Sequence, residues 1–305
     1  MSTQSFEPSG ILLINKHAGA TSHDIVYKVR RALHTKRVGH TGTLDPMATG
    51  VLVVLVGRAA KACEYVSHDR KVYRATLRLG LTTDTEDTTG EVLTTSDAIP
   101  TSTEVAEVCK RFVGKIKQIP PMYSALKVDG QKLCDLARKG VEVERAAREI
   151  EIYSLTCEPT DSPTDYILTV DCSGGTYIRT LCADIGAALG CGGCMATLER
   201  IWTGGFSLDE CITTAELEQM DDDARMALLR PVEVLFIRHP YVLLPAFYER
   251  LCRNGCEIYQ SKIHTDFPIG TRVRLCDASG HFFALGEVRE YESGTAIAMI
   301  KLFEL

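Results

Sequence analysis

Two kinds of apolar pattern run along this chain. One is unbroken. Gly10-Ile11-Leu12-Leu13-Ile14-Asn15-Lys16 and Val51-Leu52-Val53-Val54-Leu55-Val56 read as short buried strands. The other alternates. In Val72–Gly80, Tyr73, Ala75, Leu77 and Leu79 share one face, and Val72, Arg74, Thr76 and Arg78 share the other. Thr21-Ser22-His23-Asp24 can cap a helix that continues through Leu33, with apolar residues at helical spacing. Thr103–Val113 predicts an amphipathic helix. Tyr166–Cys172 predicts a strand, and Thr176–Leu189 a helix stopped by Gly190. Residues 114–149 lack a clear period, and Pro120-Pro121 breaks any element there. Glu216–Asp223 is an acidic patch, read as the solvated start of a helix. His239-Pro240 reads as a linker. After it, short strand-like runs separated by Ile269-Gly270, Asp277–Gly280 and Glu292–Gly294 predict a small β domain.

Charge adds a division that the apolar pattern does not show. The 305 residues carry a net charge of -6, which taken alone argues against a polyanionic partner. Residues 1–150, however, hold 22 Lys and Arg against 17 Asp and Glu, a net of +5. The remainder holds 12 against 23, a net of -11. Screening confines each charge to its neighbourhood, so a basic half can bind nucleic acid. The first helix and its exit carry Lys28, Arg30, Arg31, His34, Lys36 and Arg37. Segment 114–149 adds Lys115, Lys117, Lys127, Lys132, Arg138, Lys139, Arg145 and Arg148.

The 45% hydrophobic and 24% charged composition is that of a globular protein. No apolar run approaches membrane-span length, and residues 1–10 do not read as a secretory signal. The 12 cysteines therefore read as reduced cytosolic thiols. Cys191-Gly192-Gly193-Cys194 has the spacing of half a zinc site, but no second ligand pair exists, so no metal is expected. There is no G-x-S-x-G elbow, Walker lysine motif or G-x-G-x-x-G, which argues against serine hydrolysis and nucleotide cofactors.

The candidate chemistry lies in Gly39-His40-Thr41-Gly42-Thr43-Leu44-Asp45-Pro46-Met47-Ala48-Thr49-Gly50. It displays one carboxylate at the lip of a buried strand, in a loop whose glycines let a ligand approach closely. A turn-capping aspartate would leave the same trace. Gly174-Gly175-Thr176-Tyr177-Ile178-Arg179-Thr180 sets an arginine just inside a helix, suited to a carboxylate, a phosphate or a structural ion pair. Tyr73 alone reads equally as a core aromatic.

These pieces occur together and in order in one family. The chain resembles the bacterial tRNA pseudouridine-55 synthases of the TruB type. The resemblance rests on Gly10–Lys16, Gly39–Gly50, Lys71-Val72-Tyr73-Arg74, Leu79–Thr85, Gln118–Lys127 and Gly175–Thr180. It is strong over residues 10–205 and weak beyond them. It implies an α+β pseudouridine synthase fold with a long mixed, mostly antiparallel sheet, and a small C-terminal β-barrel of the PUA type. The implied division is a tail at 1–9, a catalytic domain at 10–238 with a mobile RNA-binding insertion at 121–149, and a PUA-like domain at 239–305.

By the same resemblance, Asp45 is the nucleophile and Arg179 holds it ionised. Tyr73 stacks on the target base. Tyr177 and Leu198 wall the pocket, and His40 supports the flipped-out RNA. The implied substrate is the T-stem-loop of tRNA. No cofactor, metal or protein partner is implied, and the expected enzyme is a cytoplasmic monomer. Met47, and Leu181-Cys182 after Arg179, depart modestly from the family pattern. The rivals are an RNA-folding chaperone and a guide-RNA-dependent synthase of the dyskerin type. The latter usually carries longer, lysine-rich termini than a chain ending at Leu305.

Overall fold

In the Gly10–Lys16 and Thr49–Val56 strands, neighbouring side chains enter different cores. Ile11, Leu13, Val51, Val53 and Leu55 face one cluster, while Leu12, Ile14, Leu52, Val54 and Val56 face another. Both faces are covered, so Ile11–Ile14 and Val51–Val56 are apolar throughout and the runs show no alternation. The computed structural model describes residues 7–66, 70–124, 126–128 and 130–303. Residues 1–6 of the expected tail, Ala125 and Leu305 lie outside them.

Ten strands form the main sheet. Its central path runs Ile212–Thr213, Gly10–Lys16, Thr49–Val56, Gly193–Thr203, Lys71–Leu79, Asp165–Cys172, Arg148–Pro159, Gly114–Gln118. Neighbours are antiparallel except at two places. Gly10–Lys16 is parallel to Ile212–Thr213, and Gly193–Thr203 is parallel to Thr49–Val56. This is the mixed, mostly antiparallel sheet expected.

The Ser22–Ala32 helix starts as the sequence suggests. Thr21 Oγ1 accepts from Asp24 N at 3.1 Å, and Thr21 N donates to Asp24 Oδ2 at 2.8 Å. Ile25, Val26 and Val29 then pack on one face of the sheet. On the other half of the sheet, the Ser102–Lys110 and Ile178–Ala188 helices cover the face that carries Tyr73, Leu77 and Leu168.

Two long strands of the main sheet were not legible as strands. Arg148–Pro159, of 12 residues, pairs with both Gly114–Gln118 and Asp165–Cys172. The irregular basic segment is thus tied to the sheet at both ends, and only its interior lacks regular pairing to the sheet. Gly193–Thr203 lies at the centre of the sheet, with register shifts at Met195/Thr197 and Arg200/Trp202 that break its alternation. Its first residues overlap the Cys191–Cys194 pair. A Cβ on Gly186 would sit 2.1 Å from Gly193 N, so the two glycines let the Ile178–Ala188 helix touch the strand directly. Both cysteines are buried there.

A second sheet of five strands follows, in the order Tyr241–Leu243, Arg272–Cys276, Phe282–Tyr291, Gly294–Leu302, Ile258–Tyr259. It encloses its own core of Val242, Leu244, Val273, Leu275, Phe283 and Val288. Phe236, Phe282, Leu285 and Phe303 turn back onto Ile11, Val53 and Leu55 of the main sheet. Among the described residues no helix is long and apolar enough to cross a membrane.

Candidate active site

The loop that holds Asp45 connects Val38–His40 to Thr49–Val56, which pair antiparallel with His40 opposite Val54. It is clamped on both sides of the carboxylate. Leu44 N donates to Ser22 Oγ at 2.9 Å, and Ser22 Oγ donates to Leu44 O at 3.2 Å. Gly19 N donates to Pro46 O at 2.8 Å, and Ala48 N to Asp45 O at 3.0 Å. Lys16 closes the other side. Its Nζ reaches Ala48 O at 2.5 Å, His17 O at 3.1 Å and Pro46 O at 3.2 Å.

Arg179 forks onto this carboxylate. Nε lies 3.0 Å from Asp45 Oδ2 and Nη2 donates to Oδ1 at 3.2 Å. A planar guanidinium matches both oxygens and fixes the carboxylate plane. Arg179 is itself fixed: Nη2 donates to Tyr123 O at 2.8 Å, and Nη1 donates to Thr85 O at 3.1 Å and lies 3.8 Å from Asp87 Oδ2. Asp87 accepts from Thr85 Oγ1 at 2.8 Å, Thr89 N at 3.0 Å and Thr89 Oγ1 at 2.5 Å. The arginine therefore locks the polar Thr82–Gly90 loop to the Asp45 loop.

Arg179 side-chain exposure is 5% and that of Asp45 is 32%, so the carboxylate is the member of the pair that meets an incoming ligand. Burial pushes the Asp45 carboxyl above its ordinary value; Arg179 opposes this and Asp87 adds to it. The arginine acts in the direction the sequence suggests, but desolvation outweighs it.

Tyr73, Leu198, Leu44, Ala48 and Ile178 belong to one apolar cluster beside the carboxylate. Burial raises the Tyr73 phenol, and Arg200 opposes that shift. Tyr177 caps the Ile178–Ala188 helix without a side-chain cap bond. Gln118 takes that role by holding its backbone: Tyr177 N donates to Gln118 Oε1 at 2.8 Å and Gln118 Nε2 to Tyr177 O at 3.0 Å. Arg148 lies 4.7 Å over the Tyr177 ring. His40 sits at the start of the loop with Nδ1 buried and unpartnered, and burial lowers its basicity. The structure thus joins Asp45 to Arg179 directly, and packs Tyr73 and Leu198 in one apolar cluster with Leu44 and Ala48, on either side of Asp45 in sequence. Tyr177 lies two residues before Arg179, and His40 five residues before Asp45.

Several residues of the site escaped the sequence reading. Lys16 left one signal, a cation ending an apolar strand. It is wholly buried; desolvation holds its amine at about 8, against the pull of Asp45. Gln118 opens one of the motifs behind the resemblance and Arg148 is one of the basic residues of segment 114–149, but neither was tied to the site; Arg200 and Asp87 left no signal. Arg200 is 1% exposed. Its Nε donates to Val51 O at 2.8 Å and its Nη2 to Gly42 O at 3.1 Å, while Nη1 is buried without a partner. Gly50, at φ +103°, lies so close that a Cβ there would meet Arg200 O at 2.3 Å. Among the described residues, no group of three or more His, Cys, Asp or Glu is placed to hold a metal ion.

Such a site, one forked carboxylate against an aromatic and aliphatic wall, can attack or deprotonate a flat ligand while excluding water. Known proteins are similar to this chain over most of its length. Residues 30–178 match the profile described as TruB family pseudouridylate synthase (N terminal domain). Residues 179–236 match the tRNA pseudouridylate synthase B C-terminal domain. The protein called tRNA pseudouridine synthase B in Clostridium kluyveri is 41% identical, over 96% of this chain and 99% of that one. Its namesake in Geotalea uraniireducens is 50% identical, over 83% and 86%.

Among solved structures, a Cbf5-Nop10-Gar1 complex contains a chain of TM-score 0.74 and 23% identity, covering 99% of this chain and 90% of that one. An H/ACA RNP bound to a substrate RNA containing 2'-deoxyuridine gives 0.73 and 22%, covering 97% and 85%. At such identities the likeness is one of fold, the pseudouridine synthase fold. Sequence and fold together place the chain in the TruB family of pseudouridylate synthases.

Proposed function

We propose that the protein isomerises uridine 55 in the T-loop of tRNA to pseudouridine, with Asp45 as nucleophile. The observation that carries this reading is the bidentate Arg179–Asp45 pair facing Tyr73. The reaction breaks the bond between N1 of uracil and C1′ of ribose, turns the base, and joins C5 to C1′. The C5 proton moves to solvent and N1 gains one, so atoms balance without a cofactor. Asp45 supplies the negative charge that attacks or abstracts a proton, and Arg179 fixes its oxygens. Tyr73 stacks on the uracil, Leu198 and Tyr177 wall it in, and His40 supports the RNA left behind by base extrusion.

The basic interior of residues 121–149 clasps the RNA, with shape and phosphate contacts as the main terms. Residues 10–238 act as the catalytic domain and 239–305 as a PUA-type RNA-binding domain. The separate sheet and core of the latter support that division. The enzyme works as a cytoplasmic monomer on tRNA alone.

The test is pseudouridine mapping on an unmodified tRNA transcript with purified protein and no guide RNA. Product at the T-loop uridine is expected, and none with Asp45→Ala, which should still bind the tRNA. Full isomerisation by Asp45→Ala overturns the nucleophile, and product only outside the T-loop overturns the substrate.

A further inference from the structure

Cys109, Cys157 and Cys182 meet at one junction of the main sheet. Cys109 is on the Ser102–Lys110 helix, Cys157 on the Arg148–Pro159 strand and Cys182 on the Ile178–Ala188 helix. All three belong to the apolar cluster that the two helices cover. All 12 cysteines of the chain are free thiols.

The strand reaches this junction through a local irregularity. Its register against Asp165–Cys172 shifts between Ile152 and Ser154, which carries the apolar face from Ile150 and Ile152 to Leu155 and Cys157. Cys157 then stands opposite Leu168, which is wholly buried. The helix packs against the strand and turns Val105, Val108 and Cys109 inward. There the Cys109 S–H donates a hydrogen bond to the Cys157 sulfur. Cys109 is 2% exposed and Cys182 is wholly buried. Cys157 is only half-buried, with Thr156 and Glu158 exposed on either side. One sulfur of the pair is thus open to a small solute, and the other is sealed behind it.

The contact also separates the two thiols chemically. The hydrogen bond holds the Cys157 thiol below its ordinary value, against the effect of burial. The same bond, together with burial, raises Cys109. Away from this junction, burial pushes the thiols of Cys172 and Cys252 up to about 11. A thiol that is reachable, more acidic than usual and backed by a second thiol is the kind that peroxides oxidise first.

We propose that Cys109 and Cys157 form a reversible redox pair, bridged by hydroperoxides, that staples the Ser102–Lys110 helix to the outer part of the sheet. The Cys157 thiolate attacks one oxygen of the peroxide. The O–O bond breaks, hydroxide leaves and takes up the proton that Cys157 shed, and Cys157 becomes a sulfenic acid. The Cys109 sulfur then attacks the Cys157 sulfur. An S–S bond forms, the S–O bond breaks, and the second hydroxide takes the Cys109 proton. Two electrons pass from the sulfurs to the peroxide, and hydrogen peroxide ends as two waters. A dithiol reverses the bridge by exchange. Bridging needs the sulfurs to close from hydrogen-bond contact to about 2 Å. The bridge encloses residues 110–156, which include the irregular basic segment, and so removes freedom from the unfolded chain. None of this depends on the reaction at Asp45.

In the test, the reduced protein is treated with hydrogen peroxide, its remaining thiols are alkylated, and its peptides are mapped by mass spectrometry. The expected product is the Cys109 peptide joined to the Cys157 peptide with loss of two hydrogens. It should form before Cys256, the exposed cysteine, is oxidised, and vanish on addition of dithiothreitol. In Cys109→Ala the Cys157 sulfenic acid should persist and be captured by dimedone. In Cys157→Ser, Cys109 should stay a free thiol. The urea midpoint of the bridged protein should exceed that of the reduced protein by about 0.5–1 M, and Cys157→Ser should lose this difference.

Oxidation of Cys256 while Cys109 and Cys157 stay free overturns the pair, and so does a bridge from either of them to Cys182. An unchanged or lowered urea midpoint in the bridged protein overturns the staple. The peptide map and the midpoint are both read on the unaltered chain, so neither result hangs on whether a variant folds.

Discussion

Arg200 stands directly opposite Tyr73 where the strands Gly193–Thr203 and Lys71–Leu79 pair. Directly opposed residues share a sheet face, so a buried guanidinium lies beside the tyrosine proposed to stack on uracil. The same arginine donates to Gly42 O and Val51 O, on either side of Asp45. One side chain thus sets the spacing between the stacking ring and the nucleophile loop.

Arg200→Lys keeps the charge and loses the fork. Its kcat on tRNA is expected to fall about ten- to a hundredfold, a loss of ~1.4–2.7 kcal/mol of transition-state stabilisation. Single-turnover kinetics with the tRNA dissociation constant check this. A loss confined to binding would deny Arg200 a positioning role.

Gln118 is 1% exposed and is the residue that fixes Tyr177. Gln118→Leu removes two hydrogen bonds from that backbone and leaves a buried N–H and C=O unpaired. The expected destabilisation is about 1–3 kcal/mol, read from urea unfolding. Because Tyr177 starts the helix carrying Arg179, kcat should fall as well. A variant that loses stability at unchanged kcat would show that this clamp serves the fold alone.

The pH dependence of stability should reflect the cysteines. Burial holds the thiols of Cys172, Cys194 and Cys252 up at about 11, against an ordinary value of 9.0. A thiol raised on folding adds stability below its unfolded pKa and loses it as pH climbs toward the folded value. Lys16 has the opposite sign. Its amine falls from 10.5 to about 8 on folding, so it adds stability as pH rises between those values. Three thiols outweigh one lysine. The urea midpoint is expected to drop from pH 9 to pH 10.5, and to drop more steeply in Lys16→Met. A midpoint that rises over that interval would contradict these assignments.

The legible parts of the chain were those that touch few other parts. The Thr21–Asp24 cap, the alternating Tyr73 strand and the Asp45 loop each follow from neighbours in sequence. Arg200 and Asp87 act only through partners far along the chain: Arg200 through Gly42 and Val51, Asp87 through Arg179. No local pattern marks them. The Gly193–Thr203 strand was hidden for a related reason. Its register shifts break the period of two, and its glycines answer to a helix packed on it, not to a turn. The Arg148–Pro159 strand was lost among the charges of the segment before it. Its outer partner, Gly114–Gln118, lies on the edge of the sheet and keeps Lys115 and Lys117 in solvent.

The strand Gly193–Thr203 meets Thr49–Val56 through only two opposed pairs, Glu199 with Thr49 and Arg200 with Gly50. On one side of that short seam lies Asp45; on the other lie Tyr73 and the helix bearing Arg179. Neither half of the sheet holds a complete site. A chain that has folded only one half lacks the Asp45–Arg179 pair, which forms only when the halves close. The site proposed at Asp45 therefore needs both halves of the sheet in place.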